Sequence, residues 1–209
     1  MKGLLIYIFG IDGCGKTTLL KMLDEKTTEN TLCIQTFSAS YFTNELENIA
    51  KRLKDSRRNV FSQELRSSVW MLDLIYATNK YIIPHIQKGR NVILDRYTLC
   101  SRIYLEILNY DNINYMGNVL DCLPQPDLGL HLDVSIEEAI KRIQLRNDNI
   151  APYEHTESLR KIKKRYEEYI VKQQFPIYTV DANQSIDDMT ICALNAIRQK
   201  GDIDARIKP

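Results

Sequence analysis

Residues 10 to 17 read Gly10-Ile11-Asp12-Gly13-Cys14-Gly15-Lys16-Thr17, and the apolar run Leu4-Leu5-Ile6-Tyr7-Ile8-Phe9 leads straight into them. A buried strand that turns through glycines into a helix beginning Lys-Thr has the form of a phosphate-binding loop, G-x-x-x-x-G-K-T. By chance such a match arises in well under roughly 1 in 100 chains of this size. The glycines let successive N–H groups face inward as an anion nest, and the helix starting near Gly15 turns its positive end toward them. Lys16 then reaches the β- and γ-phosphates of a nucleotide, and the Thr17 hydroxyl ligates Mg²⁺.

The rest of the chain alternates short apolar runs with longer amphipathic segments, which is the pattern of βα units and a mostly parallel sheet. Strands are predicted at Leu4–Phe9, Thr31–Phe37, Asn91–Asp95, Leu128–Asp133 and Ile177–Asp181. Helices are predicted at Gly15–Lys26, Asn44–Lys54, Ser62–Lys88, Thr98–Asn109, Ile136–Arg146, Glu157–Lys172 and Ile186–Gln199. Ser135 stands as an N-cap with Glu138 following, Ser185 precedes Ile186 with Asp188 in the first turn, and Gly89 closes the long helix. Pro84 lies inside that helix, so a kink or break is expected near Tyr81–Pro84.

Composition limits the partners. With 28 basic and 27 acidic residues the net charge is +1, so no global field draws the chain to nucleic acid or membrane, and anion recognition must be local. Cys14, Cys33, Cys100, Cys122 and Cys192 are odd in number and scattered, with no metal-type cluster with His85, His131 or His155. Reduced thiols and a cytoplasmic location are expected. The opening apolar run is too short for a signal-peptide core, and no stretch is long enough to span a bilayer. With 209 residues, 44% hydrophobic, and no linker, one domain over residues 1–209 is expected.

In open α/β sheets the ligand lies beyond the carboxyl ends of the strands. The phosphate loop, Asp95-Arg96, Asp133 and Asp181 all fall at such ends. Asp95-Arg96 is the stronger signal, whereas Asp133 reads as a loop residue capping a helix.

Several segments, in order, resemble the thymidylate kinase family of nucleoside monophosphate kinases. Phe9 to Thr18 is similar to its phosphate loop, including the aspartate between the glycines. Gly89 to Tyr97 is similar to its strand ending Asp-Arg-Tyr, with Tyr104 at the spacing of the sugar-contacting tyrosine. Pro126 to Val134, continuing to Arg142 and Arg146, resembles its fourth strand and the helix entering the lid, and Val180 to Ser185 resembles the turn that carries the adenine. The resemblance implies a three-layer P-loop kinase fold with a five-stranded, mostly parallel sheet and a small lid at roughly 146–157. It further implies ATP and Mg²⁺, a small-molecule phosphate acceptor with dTMP the default, and a homodimer formed through helices flanking the sheet.

Phosphoryl transfer between two phosphates needs charge to be gathered and oriented, with little covalent chemistry left to the protein. By the resemblance, Gly10, Asp12, Gly13, Cys14, Gly15, Lys16, Thr17 and Thr18 hold the donor phosphates, Ala182 holds the adenine, and Thr17 and Asp95 hold Mg²⁺. An acceptor monophosphate has a second pKa of about 6 and needs no general base. It needs a cation in line, and Arg96 suits that because its planar fork binds phosphate bidentately. Asp12 would face the acceptor sugar's 3′-hydroxyl, its plainer role being to accept from loop N–H groups; Trp70 would stack on the acceptor base, its plainer role being core. Gly13-Cys14 carries no basic residue, and by the same resemblance this implies a catalytic arginine in the lid, as in members of the family that keep glycine there. Arg142 and Arg146, one helical turn apart, are the candidates, and Arg160, Lys161, Lys163 and Lys164 read as a solvated helix face.

The departures concern the acceptor. Thr36 to Phe42 replaces the family's Arg-Glu-Pro-Gly-Gly type loop, and Leu74 stands where an arginine one turn beyond the stacking aromatic reads the pyrimidine. Asp73, Asn79, Tyr41 and Tyr76 are candidate replacements. Two rivals remain at this level. One is a kinase acting on a hydroxyl of a deoxynucleoside or small metabolite, with Asp95 or Asp12 as general base. The other is a nucleotide-binding module without turnover; a GTPase-type switch is disfavoured because Asn79-Lys80-Tyr81-Ile82 lacks the aspartate of N-K-x-D.

Overall fold

The computed structural model describes residues 2–36, 40–107, 113–146 and 152–201. Five strands, β1 (Leu5–Phe9), β2 (Thr31–Gln35), β3 (Asn91–Asp95), β4 (Leu128–Asp133) and β5 (Ile177–Asp181), form one sheet in the order β2-β3-β1-β4-β5. The mostly parallel sheet expected from sequence is parallel at every pairing. Each β-to-β connection therefore needs a crossover, and the intervening amphipathic segments supply it. β1 is buried along its whole length, as a strand covered on both faces should be. On one face Tyr7 and Phe9 stack at 4.8 Å between ring centroids, and Phe9 continues onto His131 at 5.0 Å.

The helices are α1 (Lys16–Lys26), α2 (Tyr41–Arg52), α3 (Arg57–Val60), α4 (Gln63–Ala77), α5 (Ile83–Gln87), α6 (Thr98–Ile107), α7 (Ile113–Asp121), α8 (Ile136–Leu145), α9 (Thr156–Ile170) and α10 (Ile186–Lys200). Ser135 and Ser185 cap α8 and α10 by accepting from the backbone N–H of Glu138 and Asp188. The short α3 and α7 were not foreseen. Helix α2 starts at Tyr41 rather than Asn44, because the Asp73 carboxylate accepts from the N–H groups of Phe42 and Thr43 at 2.8 and 2.9 Å. Phe37 and Asn109, the expected ends of a strand and a helix, lie outside the described residues.

The helix expected over Ser62–Lys88 is interrupted. Thr78–Ile82 form a π-helical turn between α4 and α5. Pro84 has no N–H to offer the carbonyl of Lys80, so the regular ladder cannot continue there. The wider turn has a packing effect. Leu74, Thr78, Ile82 and Ile86 are all buried at intervals of four residues, a spacing that drifts off one face of a regular helix and is held on it by the extra π residue.

The register places the site. Ile8 lies opposite Asp95 and Phe9 opposite His131, while Asp133 lies opposite Asp181. The loop leaving β1 therefore sits between the carboxyl ends of β3 and β4, where the strand order reverses direction about β1.

Candidate active site

The glycines of the loop are required by space as well as by conformation. Gly10 has φ +149°, and a Cβ there would meet the Leu132 carbonyl oxygen at 2.5 Å; at Gly13, with φ +82°, it would meet that of Ala139 at 2.4 Å. Gly15, with φ +97°, starts α1 in a left-handed conformation. Lys16 folds back over this loop, donating to the carbonyl oxygens of Gly10 at 3.1 Å and Ile11 at 2.8 Å. It is buried, so its charge is felt at full strength inside the loop. Thr17 and Thr18 are exposed in the first turn of α1, and Cys14 is buried beneath it.

Two carboxylates organise the ends of β1 and β3. The Thr17 hydroxyl donates to Asp95 Oδ2 at 2.7 Å. Asp95 Oδ1 is buried without a hydrogen-bond partner, and a carboxylate oxygen in that condition beside a threonine hydroxyl suits a hard divalent cation or its bound water. The pair thus fits the metal ligands expected from sequence. Asp12 does not accept from loop N–H groups. It instead accepts from the guanidinium of Arg96 and, at 2.5 Å, from the hydroxyl of Tyr104. Lys16 Nζ stands 4.0 Å away. Burial works to raise the Asp12 pKa, but the charges of Arg96 and Lys16 and the Tyr104 hydroxyl outweigh it and hold the carboxyl below its usual value. Arg96 itself is left-handed, φ 69°, and its guanidinium lies 5.0 Å from the centre of the Tyr104 ring. A non-glycine residue held in that conformation is strained, and here it aims the guanidinium across the mouth of the loop.

Beyond Arg96 and Tyr104 opens a cavity of about 710 Å³, with Trp70 and Tyr153 in its wall. Trp70 is half-buried, packed against the core on one side and lining the cavity on the other. The proposed replacements for the missing pyrimidine-reading arginine do not reach this cavity. Asp73 is spent capping α2, the amide of Asn79 donates to the Ile75 carbonyl, and Tyr41 and Tyr76 pack against Lys80. Leu74 is 2% exposed and belongs to the core. The residues that sequence reasoning missed are arginines: Arg57, Arg58 and Arg66 line the cavity. Arg66 lies one turn before Trp70 on the same helix face, a spacing that was available as a signal.

On the donor side, Arg142 Nε donates to Glu138 Oε1 at 2.9 Å, and its Nη1 lies 4.0 Å from where a Gly15 Cβ would stand. Arg142 is thereby held over the phosphate loop. Arg146 instead pairs with Glu154, so the two arginines have separate surroundings. Residues 147–151, the centre of the expected lid, lie outside the described residues. Tyr153, just after them, meets Tyr104 edge-on at 5.5 Å. Ala182 is buried and its N–H donates to the Asp133 carbonyl at 2.7 Å, closing the ends of β4 and β5. Two readings are corrected here: Asp133 caps no helix, and Lys163 is not simply solvated. Lys163 pairs with Asp133 at 2.7 Å and donates to the Val134 carbonyl, whereas Arg160, Lys161 and Lys164 are exposed as expected. Among the described residues no helix is long and apolar enough to cross a membrane.

A phosphate loop whose lysine, threonine and partner aspartate meet an arginine at the rim of a ligand-sized cavity, on a parallel sheet of this order, defines a P-loop kinase. Which branch it represents follows from likeness to known proteins. A family model described as thymidylate kinase matches residues 8–190, and the chain belongs to that family, making it a nucleoside monophosphate kinase. It is 30% identical over 195 residues to the thymidylate kinase of Nitrosospira multiformis, covering 90% of this chain and 94% of the relative. To the thymidylate kinase of Dictyostelium discoideum it is 28% identical, covering 90% and 82%. Among solved structures the thymidylate kinase of Candida albicans shares the fold with a TM-score of 0.72 at 23% identity, covering 95% of this chain and 92% of that one. The deoxyadenosine kinase of M. mycoides shares it at 0.63 and 22% identity, covering 94% and 100%.

Proposed function

We propose that the protein, as a single kinase domain, transfers the γ-phosphoryl group of ATP to dTMP, giving dTDP and ADP. The observation that carries this reading is the convergence of Lys16, Thr17, Asp95, Arg96, Asp12 and Tyr104 between the ends of β1 and β3, at the rim of the Trp70 cavity. An oxygen of the acceptor phosphate attacks the γ-phosphorus, and the bond from that phosphorus to the β,γ-bridging oxygen breaks. Lys16 and the loop N–H groups hold the β- and γ-phosphates, Arg142 adds charge beside Gly15, and Arg96 turns from Asp12 to hold the acceptor phosphate in line. Thr17 and Asp95 would hold Mg²⁺, which supplies neutralisation of the charge that develops on the phosphate oxygens. Asp12 and Tyr104 take the sugar hydroxyl, Trp70 stacks on the base, and Ala182 faces the adenine. The Asp12 carboxyl, held below its usual pKa by Arg96, Lys16 and the Tyr104 hydroxyl, is a poor general base, which leaves Asp95 as the base that the hydroxyl-kinase reading would need.

The test is a panel of acceptors with ADP release and product identity as readouts. Formation of dTDP from dTMP is expected. Silence with dTMP alongside formation of monophosphates from deoxynucleosides would overturn it. The same reading makes the protein a cytoplasmic homodimer, supported by the exposed Tyr41, Phe42 and Leu72 on α2 and α4, and sedimentation at the mass of two chains is the check.

A further inference from the structure

We propose that Arg66 is the base-reading residue of the acceptor site and selects bases with a carbonyl at the 4-position of a pyrimidine or the 6-position of a purine, thymine, uracil or guanine, over cytosine and adenine, which carry an amino group there. The inference rests on the acceptor being a nucleoside monophosphate. Leu74, the position from which an arginine would read the base, is sealed in the core at 2% exposure. The guanidinium supply comes instead from the opposite side of Trp70. Arg66 sits one turn N-terminal to Trp70 on α4, and helical side chains lean toward the helix N-terminus, so Arg66 lies along the cavity wall beyond the ring.

Arg66 is held in place from one nitrogen only. Its Nη1 donates to the carbonyl oxygens of Arg58, at 3.0 Å, and Phe61. Those two bonds use both Nη1 protons and fix the plane of the fork, and among the described residues Nη2 and Nε make no hydrogen bond. The wall carries further arginines beside amide and hydroxyl side chains such as Asn44 and Gln63, which can donate or accept. Arg57 and Arg58 line the same cavity, Arg57 offset at 3.9 Å by Glu47, and no carboxylate lines it among the described residues. A guanidinium offers five N–H donors and no acceptor. Facing O4 of a pyrimidine or O6 and N7 of guanine it pairs; facing an exocyclic amino group it sets donor against donor and leaves both unpaired.

The experiment measures dissociation constants and kcat/KM for dTMP, dUMP, dGMP, dCMP and dAMP with the wild-type protein and with Arg66→Lys and Arg66→Met. The lysine keeps a cation that reaches the 58 and 61 carbonyls but loses the fork, so it separates reading from support of the fold. Expected is tighter binding of dTMP, dUMP and dGMP by about tenfold or more, collapsing to within about threefold in Arg66→Lys, with the change in KM and the melting temperature held. Equal binding of all five by the wild type overturns the proposal. So does a uniform loss across acceptors in both variants, which makes Arg66 a support of the 58–61 segment. Tighter binding of a 3′,5′-bisphosphate regardless of base also overturns it and reassigns the arginines to a second anion. Preferential binding without turnover would instead sink the kinase reading while leaving the base reading intact.

Discussion

At the scale of single residues the site turns on Asp12, which ties the phosphate loop to β3 through Arg96 and to α6 through Tyr104. Replacing it with asparagine leaves Arg96 and Lys16 without their shared counter-charge, and loss of one member of a buried ionic cluster costs about 3 kcal/mol. A carboxyl with a lowered folded pKa stabilises above its unfolded value and loses that contribution as pH falls through the folded one. Urea titrations should therefore show the wild type more stable than Asp12→Asn at pH 7, the gap narrowing below about pH 4. Restoring the family's arginine by Leu74→Arg should not improve thymidine discrimination. It buries a guanidinium in the core, with an expected loss of about 3 kcal/mol or more that thermal unfolding would register. Lys16→Ala should lower kcat/KM by about 10²-fold or more with the fold intact. The loop, Asp95-Arg96 and Trp70 were legible because fixed spacings carry their chemistry. Arg57 and Arg58 were not, since a charged surface run and a cavity wall look alike until α3 and α4 are folded against the sheet, and Arg66 offered only its one-turn spacing from Trp70 as a signal.

Among the elements, β4 carries a titrating core residue. His131 stacks on Phe9 and is pushed down to about 4 by burial, with Lys163 also lowering it and Asp133 opposing. Between that value and about 6.5 the unfolded chain binds a proton that the folded one refuses, so stability drops as the medium is acidified across this window, by about 3 kcal/mol in all. His131→Phe, which keeps a ring on Phe9, should flatten the urea midpoint between pH 6.5 and 4 relative to the wild type. Strands and capped helices were readable because apolar runs and Ser135 or Ser185 are local signals. Helix α7 was missed for a physical reason. It contains Asn114, Gly117 and Asn118, poor helix formers, and is sustained by burying Met116 and Leu120 and by Arg102 donating to the Gly117 carbonyl and to Asp121. The π-helical turn was visible only as Pro84, since the packing that selects the wider turn belongs to the core.

For the whole molecule, donor binding should register as stability. ATP with Mg²⁺ at about 100 times its dissociation constant adds about 2.7 kcal/mol, or roughly 5 to 10 °C in melting temperature for a chain of this length, and Lys16→Ala should abolish the shift. The strand order β2-β3-β1-β4-β5 divides the site along β1. Nearly everything that would meet the acceptor lies between β2 and α6, and what would meet the donor base and lid lies from β4 onward. The two stretches are thus separately editable: one acceptor could be exchanged for another by rewriting the first while the second stays untouched, provided residues 10–17 and Asp95, which answer to both substrates, are kept.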